Sequence, residues 1–211
     1  MGGTGKGEIG DRMVKRLPLY LRILREMRDR GTAYASGTVV AKALDLDPIV
    51  VRKDLARSGV RGTPRRGFPI DALIQAIERY VGWSDDTAAV LAGVGRLGSA
   101  LLGYGGFRQQ GLRIVAAFDQ DARRVGRRMS GVMVYAAADI ADIVGSLSVK
   151  LGILTVPQEA AQPVADAMVA GGVRGIWNFT PVQLTVPGDV IIKREDLAAS
   201  LAVLSRRLRG A

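Results

Sequence analysis

The chain contains no cysteine and no histidine. Without cysteine there can be no disulfide, zinc–thiolate site, iron–sulfur cluster or thiol redox switch. Without histidine, the side chain that most often moves protons near pH 7 is missing, which handicaps any reading as a dehydrogenase. Long apolar runs are absent too, so no segment is long enough to span a bilayer. No basic-then-apolar signal opens the chain, and the cytoplasm is the expected compartment. Neither a metal nor a membrane is an expected partner.

What is present is a chain of 211 residues, 48% hydrophobic, enough for one large domain or two small ones. The net charge is +10 and the pI about 10.5, which points to a polyanionic partner such as nucleic acid. Arginine outnumbers lysine 24 to 6, a bias that a GC-rich genome also produces. The distribution is more telling. Residues 1–80 carry 16 basic and 9 acidic side chains, net +7, whereas residues 81–211 carry 14 and 11, net +3.

The glycine-rich start, residues 1–11, reads as a disordered tail. A helix is expected over 11–30, where Leu17, Tyr20, Leu21, Leu24 and Met27 recur at helical spacing and Gly31 follows as a stop. Ser36 opens a short second helix. After the turn Leu44-Asp45-Leu46, Asp47-Pro48 marks a third helix start, an N-cap followed by proline at the first helical position. That helix runs to Arg57 and stops at Gly59. Three short helices with a tight turn between the last two form a helix-turn-helix arrangement. Val51 and Leu55 should pack inward, leaving Arg52, Lys53 and Arg57 as the DNA-facing side. The segment from Gly59 to Phe68 carries Arg61, Arg65 and Arg66 and no acid. It reads as a loop or tight hairpin, a wing for phosphates or the minor groove. The plainer alternative for both features is a solvated basic face. A fourth amphipathic helix spans 71–81, and residues 82–87 read as a linker.

The most specific pattern comes next. The apolar run Ala88 to Ala92 breaks into Gly93-Val94-Gly95-Arg96-Leu97-Gly98 and then a helix-forming segment. This is G-x-G-x-x-G after a strand and before a helix, the dinucleotide fingerprint. Its glycines allow the tight turn, the close approach of a pyrophosphate and the packing of helix on strand, with helix N–H groups facing the phosphates. A second apolar strand, Leu112 to Phe118, ends in Asp119, 21 residues after Gly98. An acid there holds ribose hydroxyls and repels a 2′-phosphate, which predicts NAD rather than NADP. Further strands are expected at 132–135, 149–157 and 190–192, a strand and loop at 175–181, and helices at 139–144 and 158–171. Together they form a Rossmann-like doubly wound parallel sheet in an α/β chain. Leu197, Leu201, Leu204 and Leu208 form one stripe on a final helix over 195–209, packed on its own domain or lent to a partner subunit.

These pieces resemble the Rex family of redox-sensing transcriptional repressors. The resemblance rests on Arg16-Leu17-Pro18-Leu19-Tyr20-Leu21-Arg22, Val51-Arg52-Lys53-Asp54-Leu55, Gly93 to Leu101, Phe118-Asp119, Leu154-Thr155-Val156-Pro157, Gly175 to Pro181 and Asp196-Leu197. It covers nearly the whole chain after residue 12. The chain departs from the family at the end of the third helix, where Ala56-Arg57-Ser58-Gly59 replaces Ser-Tyr-Phe-Gly. It departs again in the wing, where Arg65-Arg66-Gly67-Phe68 lacks the first glycine of Arg-Gly-x-Gly-Tyr.

The resemblance implies a homodimer with a winged helix at 12–82, an NAD(H)-binding Rossmann domain at 86–193 and a terminal helix, 194–211, swapped across the dimer. It implies a repressor, not an enzyme, that binds inverted-repeat, double-stranded operator DNA when NADH is scarce and leaves it when NADH binds. Thr155, Val156, Pro157, Asn178 and Phe179 should line the nicotinamide end, near the dimer interface. An apolar pocket there favours NADH over the positively charged NAD+. Arg22, Tyr104 and Asp196 are the implied switch, the carboxylate re-pairing between tyrosine and arginine. The alternative is a small NAD-dependent dehydrogenase with an accessory basic domain, in which only Lys150, Tyr104 or a carboxylate could transfer protons. A second alternative is a sugar- or nucleotide-sensing subunit that uses a CoA-ligase-like Rossmann domain.

Overall fold

The computed structural model describes residues 5–83 and 87–209. The chain divides into two compact units, residues 1–85 and 86–211. Residues 84–86 of the expected linker and residues 1–4 of the expected tail lie outside the described residues.

The N-terminal unit runs α1 (Gly5–Asp29), β1 (Tyr34–Ala35), α2 (Gly37–Leu44), α3 (Pro48–Arg57), β2 (Phe68–Pro69) and α4 (Ile70–Val81). Helix α1 begins at Gly5, so residues 5–11 are helical rather than a disordered tail. No proline stands between Gly5 and Arg12, and helix growth beyond an established segment adds one bond per residue fixed. Pro18 sits inside α1, where it removes a backbone bond at a cost of about 3 kcal/mol. Met13, Leu17, Tyr20, Leu21 and Leu24 are each at most 2% exposed. Burial of about 1.5–3 kcal/mol per large apolar side chain outweighs that cost. Ser36 Oγ caps α2 by accepting from the Val39 N–H at 3.2 Å, and Asp47 Oδ1 caps α3 by accepting from the Ile49 N–H at 2.6 Å. Asp45, in the left-handed region at φ 52°, ends α2.

On the buried side of α3, Asp54 lies between Val51 and Leu55 and is 3% exposed. Its Oδ2 accepts from Arg16 Nε and from the Tyr20 hydroxyl, both at 2.7 Å. One carboxylate therefore ties α3 to two residues one turn apart on α1. Burial, then the hydrogen bond to Asp54, push the Tyr20 hydroxyl up to about 12.

The C-terminal unit contains β3 (Thr87–Ala92), α5 (Arg96–Leu102), α6 (Gly106–Gln109), β4 (Leu112–Asp119), β5 (Arg128–Met129), β6 (Val132–Ala136), α7 (Ile140–Leu147), β7 (Leu151–Leu154), α8 (Gln158–Ala170), β8 (Gly175–Asn178), β9 (Ile191–Arg194) and α9 (Leu197–Arg209). The sheet order is β5-β6-β4-β3-β7-β8-β9. All pairs are parallel except β5–β6. Without the short antiparallel edge this is the doubly wound order 3-2-1-4-5-6, whose direction of growth reverses between β3 and β7. Ala89 and Leu91 pack on one face, with Leu101 and Leu102. Val90 and Ala92 pack on the other, with Ile140, Val144, Ala161 and Met168. Both faces are covered, which is why the strands read as unbroken apolar runs.

The triad on α1 and α3 sets a pH test. The hydroxyl pKa is higher in the folded state than its unfolded value of about 10, so its stabilising effect is complete below that pH. It is lost as pH rises toward about 12. Urea midpoints should fall between pH 10 and pH 12, and Tyr20→Phe should flatten that fall. Equal slopes for the two proteins would contradict the assignment.

Candidate functional site

The carboxyl ends of β3, β4 and β7 border a cavity of about 290 Å³ at the point where the sheet order reverses. In open α/β sheets this is where ligands sit. Its turn is built by close approach. Gly93 has φ 92°, and a Cβ there would stand 2.5 Å from the Thr155 carbonyl oxygen. A Cβ on Gly98 would overlap the Gly93 carbonyl oxygen. Gly95 differs: a Cβ there would meet nothing within 4 Å, although Gly95 lines the cavity. Two of the glycines are therefore required by the protein's own packing, and the third leaves room for something that approaches the backbone. This is the gap a pyrophosphate needs, so the residues fit a dinucleotide.

Thr155 ties the turn to β7. Its hydroxyl donates to Gly93 O at 2.8 Å or to Ala92 O at 3.0 Å. Asp119, at the end of β4, is 7% exposed. Its Oδ2 accepts from the Val94 N–H at 2.7 Å and from Arg124 Nη1 at 2.9 Å. Its Oδ1 accepts from the Asp121 N–H at 2.9 Å. Arg124 also lines the cavity. In the sequence it is one of four arginines between positions 123 and 128, with nothing to single it out.

Of the expected nucleotide residues, Gly93, Gly95, Asp119, Thr155, Val156 and Pro157 line this cavity. Arg96 and Leu97 are exposed on the first turn of α5. Val94 is buried. Asn178 does not line the cavity. It is fully buried, its Oδ1 accepts from the Thr180 N–H and hydroxyl, and its Nδ2 donates to Val182 O. These bonds shape the loop after β8. Phe179 lines a separate recess of about 220 Å³ with Arg194 and Asp196.

Of the expected switch residues, Arg22 is exposed on α1 in the N-terminal unit. Tyr104 and Asp196 belong to the C-terminal one. Asp196 lies 3.9 Å from Arg194. Tyr104 stands edge-on to Phe107 at 5.0 Å between ring centroids. Phe107 meets Trp177 at 5.8 Å, and Trp177 meets Phe179 at 4.7 Å. Four rings thus join Tyr104 to Phe179. The Trp177 indole donates to Glu195 Oε1 at 3.0 Å, next to Asp196.

In the N-terminal unit, Arg52, Lys53 and Arg57 are exposed on α3, opposite the buried Val51 and Leu55. Arg61, Arg65 and Arg66 are exposed on the loop before β2. The loop is a tight hairpin in which Thr63 and Gly67 exchange N–H···O bonds of 2.7 and 2.9 Å. The Arg66 guanidinium lies 4.7 Å from the centre of the Tyr34 ring.

Two family models match, a CoA binding domain over residues 84–182 and a putative DNA-binding protein N-terminus over residues 8–56. The chain is 43% identical to the redox-sensing transcriptional repressor Rex of Treponema denticola over 191 residues, 90% of this chain and 91% of that one. It is 40% identical to the Rex of Bacteroides thetaiotaomicron over 92% of this chain and 89% of that one. The chain belongs to the Rex family of redox-sensing transcriptional repressors. Among solved structures it is similar to RSP in complex with β-NAD+ and operator DNA, with a TM-score of 0.86 and 29% identity over 94% of this chain and 92% of that one. It is also similar to RSP in complex with β-NADH, with a TM-score of 0.82 and 28% identity over 94% of this chain and 93% of that one.

A Rex-family chain is a regulator, and the dehydrogenase alternative falls. The candidate proton donor Lys150 precedes β7, at the opposite end of the sheet from the cavity, and donates to Gly172 O. The departure from the Rex wing also has a structural outcome. Counting back from Gly67-Phe68, Arg65 stands where the family pattern has its first glycine, and it keeps a left-handed backbone at φ 63°. An L-residue there costs about 1–2 kcal/mol.

The glycine turn separates packing from ligand space. Gly98→Ala should destabilise the C-terminal unit by about 1–3 kcal/mol, as overpacking does. Gly95→Ala should change stability by less than about 0.5 kcal/mol, as at an uncrowded position. Urea denaturation of both variants checks the contrast, and equal losses would contradict it.

Proposed function

We propose that this chain binds double-stranded operator DNA as a homodimer when NADH is scarce and leaves it when NADH enters the cavity at the β3–β7 switch point. The observation that carries the reading is Gly95: a glycine that the protein's own packing does not require, open toward a cavity with Asp119 at its rim. The RSP complexes with β-NAD+ and operator DNA, and with β-NADH, support it.

The turn from Gly93 to Gly98 would hold the pyrophosphate, Asp119 the adenosine ribose, and Thr155, Val156 and Pro157 the nicotinamide side. When bound, the cofactor supplies only a change of charge between its oxidised and reduced rings. An apolar wall at Val156 and Pro157 disfavours the cationic ring. A ligand shifts an equilibrium only by its differential affinity for the two states, so NADH must bind the released form more tightly than the DNA-bound one. Arg22, Tyr104 and Asp196 are the proposed switch, and the ring line from Tyr104 to Phe179 links Tyr104 to the recess that Asp196 lines.

The dimer is supported by α9. Leu201, Leu204 and Leu208 are 62%, 54% and 72% exposed, a stripe that a partner subunit would cover by exchanging this helix. Two winged helices on a two-fold axis read an inverted repeat. Arg52, Lys53 and Arg57 would enter the major groove, while Arg61, Arg65 and Arg66 would contact phosphates or the minor groove. Among the described residues no helix is long and apolar enough to cross a membrane. A repressor acts where its operator DNA is, and on that ground we assign the protein to the cytoplasm.

Fluorescence anisotropy on an inverted-repeat probe tests the reading. NADH should release the DNA at concentrations where NAD+ and coenzyme A do not. Release by coenzyme A would favour the chemistry that the matching domain model names. Gly95→Ala should bind DNA normally yet need at least about tenfold more NADH for release, about 1.4 kcal/mol of lost affinity. Lys53→Ala should weaken DNA binding and lower the salt slope by about 1. DNA binding indifferent to both nucleotides would overturn the reading.

A further inference from the structure

An ionised carboxylate offers about four lone-pair positions. On Asp119, three are occupied: Oδ2 by the Val94 N–H and Arg124 Nη1, and Oδ1 by the Asp121 N–H. About one acceptor position therefore remains, on Oδ1. A bare carboxylate can take both hydroxyls of a ribose; this one can take only one.

The charge around it is balanced as well. Arg124 pairs with Asp119 and lies 3.8 Å from Asp121 through its Nε. Arg123 is committed to Asp121 through two side-chain hydrogen bonds, of 2.9 and 3.0 Å. That pairing holds the Asp121 carboxyl down at about 2. Arg124 lines the cavity beside Asp119, and Arg123 balances Asp121 outside that lining, so the repulsion expected from an isolated Asp119 is reduced. Arg124 carries five N–H donors, and one of them makes its hydrogen bond to Asp119. A guanidinium is well suited to a phosphate.

We propose that Arg124 is a specificity-determining residue of the nucleotide cavity: paired with Asp119, it limits that carboxylate to one ribose hydroxyl and offers a cation to a 2′-phosphate. The protein therefore discriminates against NADPH less strongly than its fingerprint acid alone would. The proposal rests on the reading of this cavity as the dinucleotide site.

Direct titration of NADH and NADPH, followed by the fluorescence of the reduced ring, tests it in the full-length protein. Arg124→Gln should raise the NADPH-to-NADH ratio of dissociation constants about tenfold or more, as loss of a charge-assisted hydrogen bond to phosphate does. Arg124→Lys should stay closer to wild type. Asp119→Asn, which keeps an acceptor for the Val94 N–H, should favour NADPH, and adding Arg124→Gln should cancel that gain. A ratio unchanged within about twofold in Arg124→Gln would overturn the proposal, as would no detectable NADPH binding by either wild type or Asp119→Asn. No NADH binding by the wild type would instead overturn the reading of the cavity.

Discussion

Helix α5 meets the turn after β3 at Gly98 so closely that a single methyl group would overlap the Gly93 carbonyl oxygen. The shape of the cavity in the C-terminal unit depends on this approach. It lets the Thr155 hydroxyl reach the same carbonyl from β7, so three elements converge at the reversal of the sheet. It also aims the Val94 N–H at Asp119. The cavity is the space left when these contacts are made, and Gly95 lines it without taking part in them.

The two units share a device. In each, a nearly buried aspartate fixes an element that the proposed function uses. Asp54 holds α3 against α1 through Arg16 and Tyr20, while Asp119 holds the glycine turn through Val94 and Arg124. A buried carboxylate is tolerated only when paired and hydrogen-bonded. The same bonds that make it tolerable also pin the backbone around it. The exposed faces next to these aspartates, Arg52 and Lys53 on α3 and Gly95 on the turn, are thereby presented in fixed positions.

Local patterns were legible in the sequence. The helix starts at Ser36 and Asp47-Pro48, the apolar strands and G-x-G-x-x-G each depend on residues within a few positions. The pairings around Asp54 were not, because they join residues 34 and 38 positions apart. A polar residue between Val51 and Leu55 on the apolar side of α3 was the available signal. Arg124 was hidden among Arg123, Arg127 and Arg128, and only the fold shows which of them faces Asp119. The family resemblance places Asn178 at the nicotinamide end, yet the loop after β8 consumes its side chain. The short β5 and α6 carry too few residues for any period to show.

The central claim is that the cavity at the β3–β7 switch point is where the redox signal enters. A crystal structure of the protein with NADH tests it most directly. The account predicts the pyrophosphate against the turn from Gly93 to Gly98, with the adenosine ribose at Asp119. NADH bound elsewhere on the molecule, with this turn untouched, would contradict it.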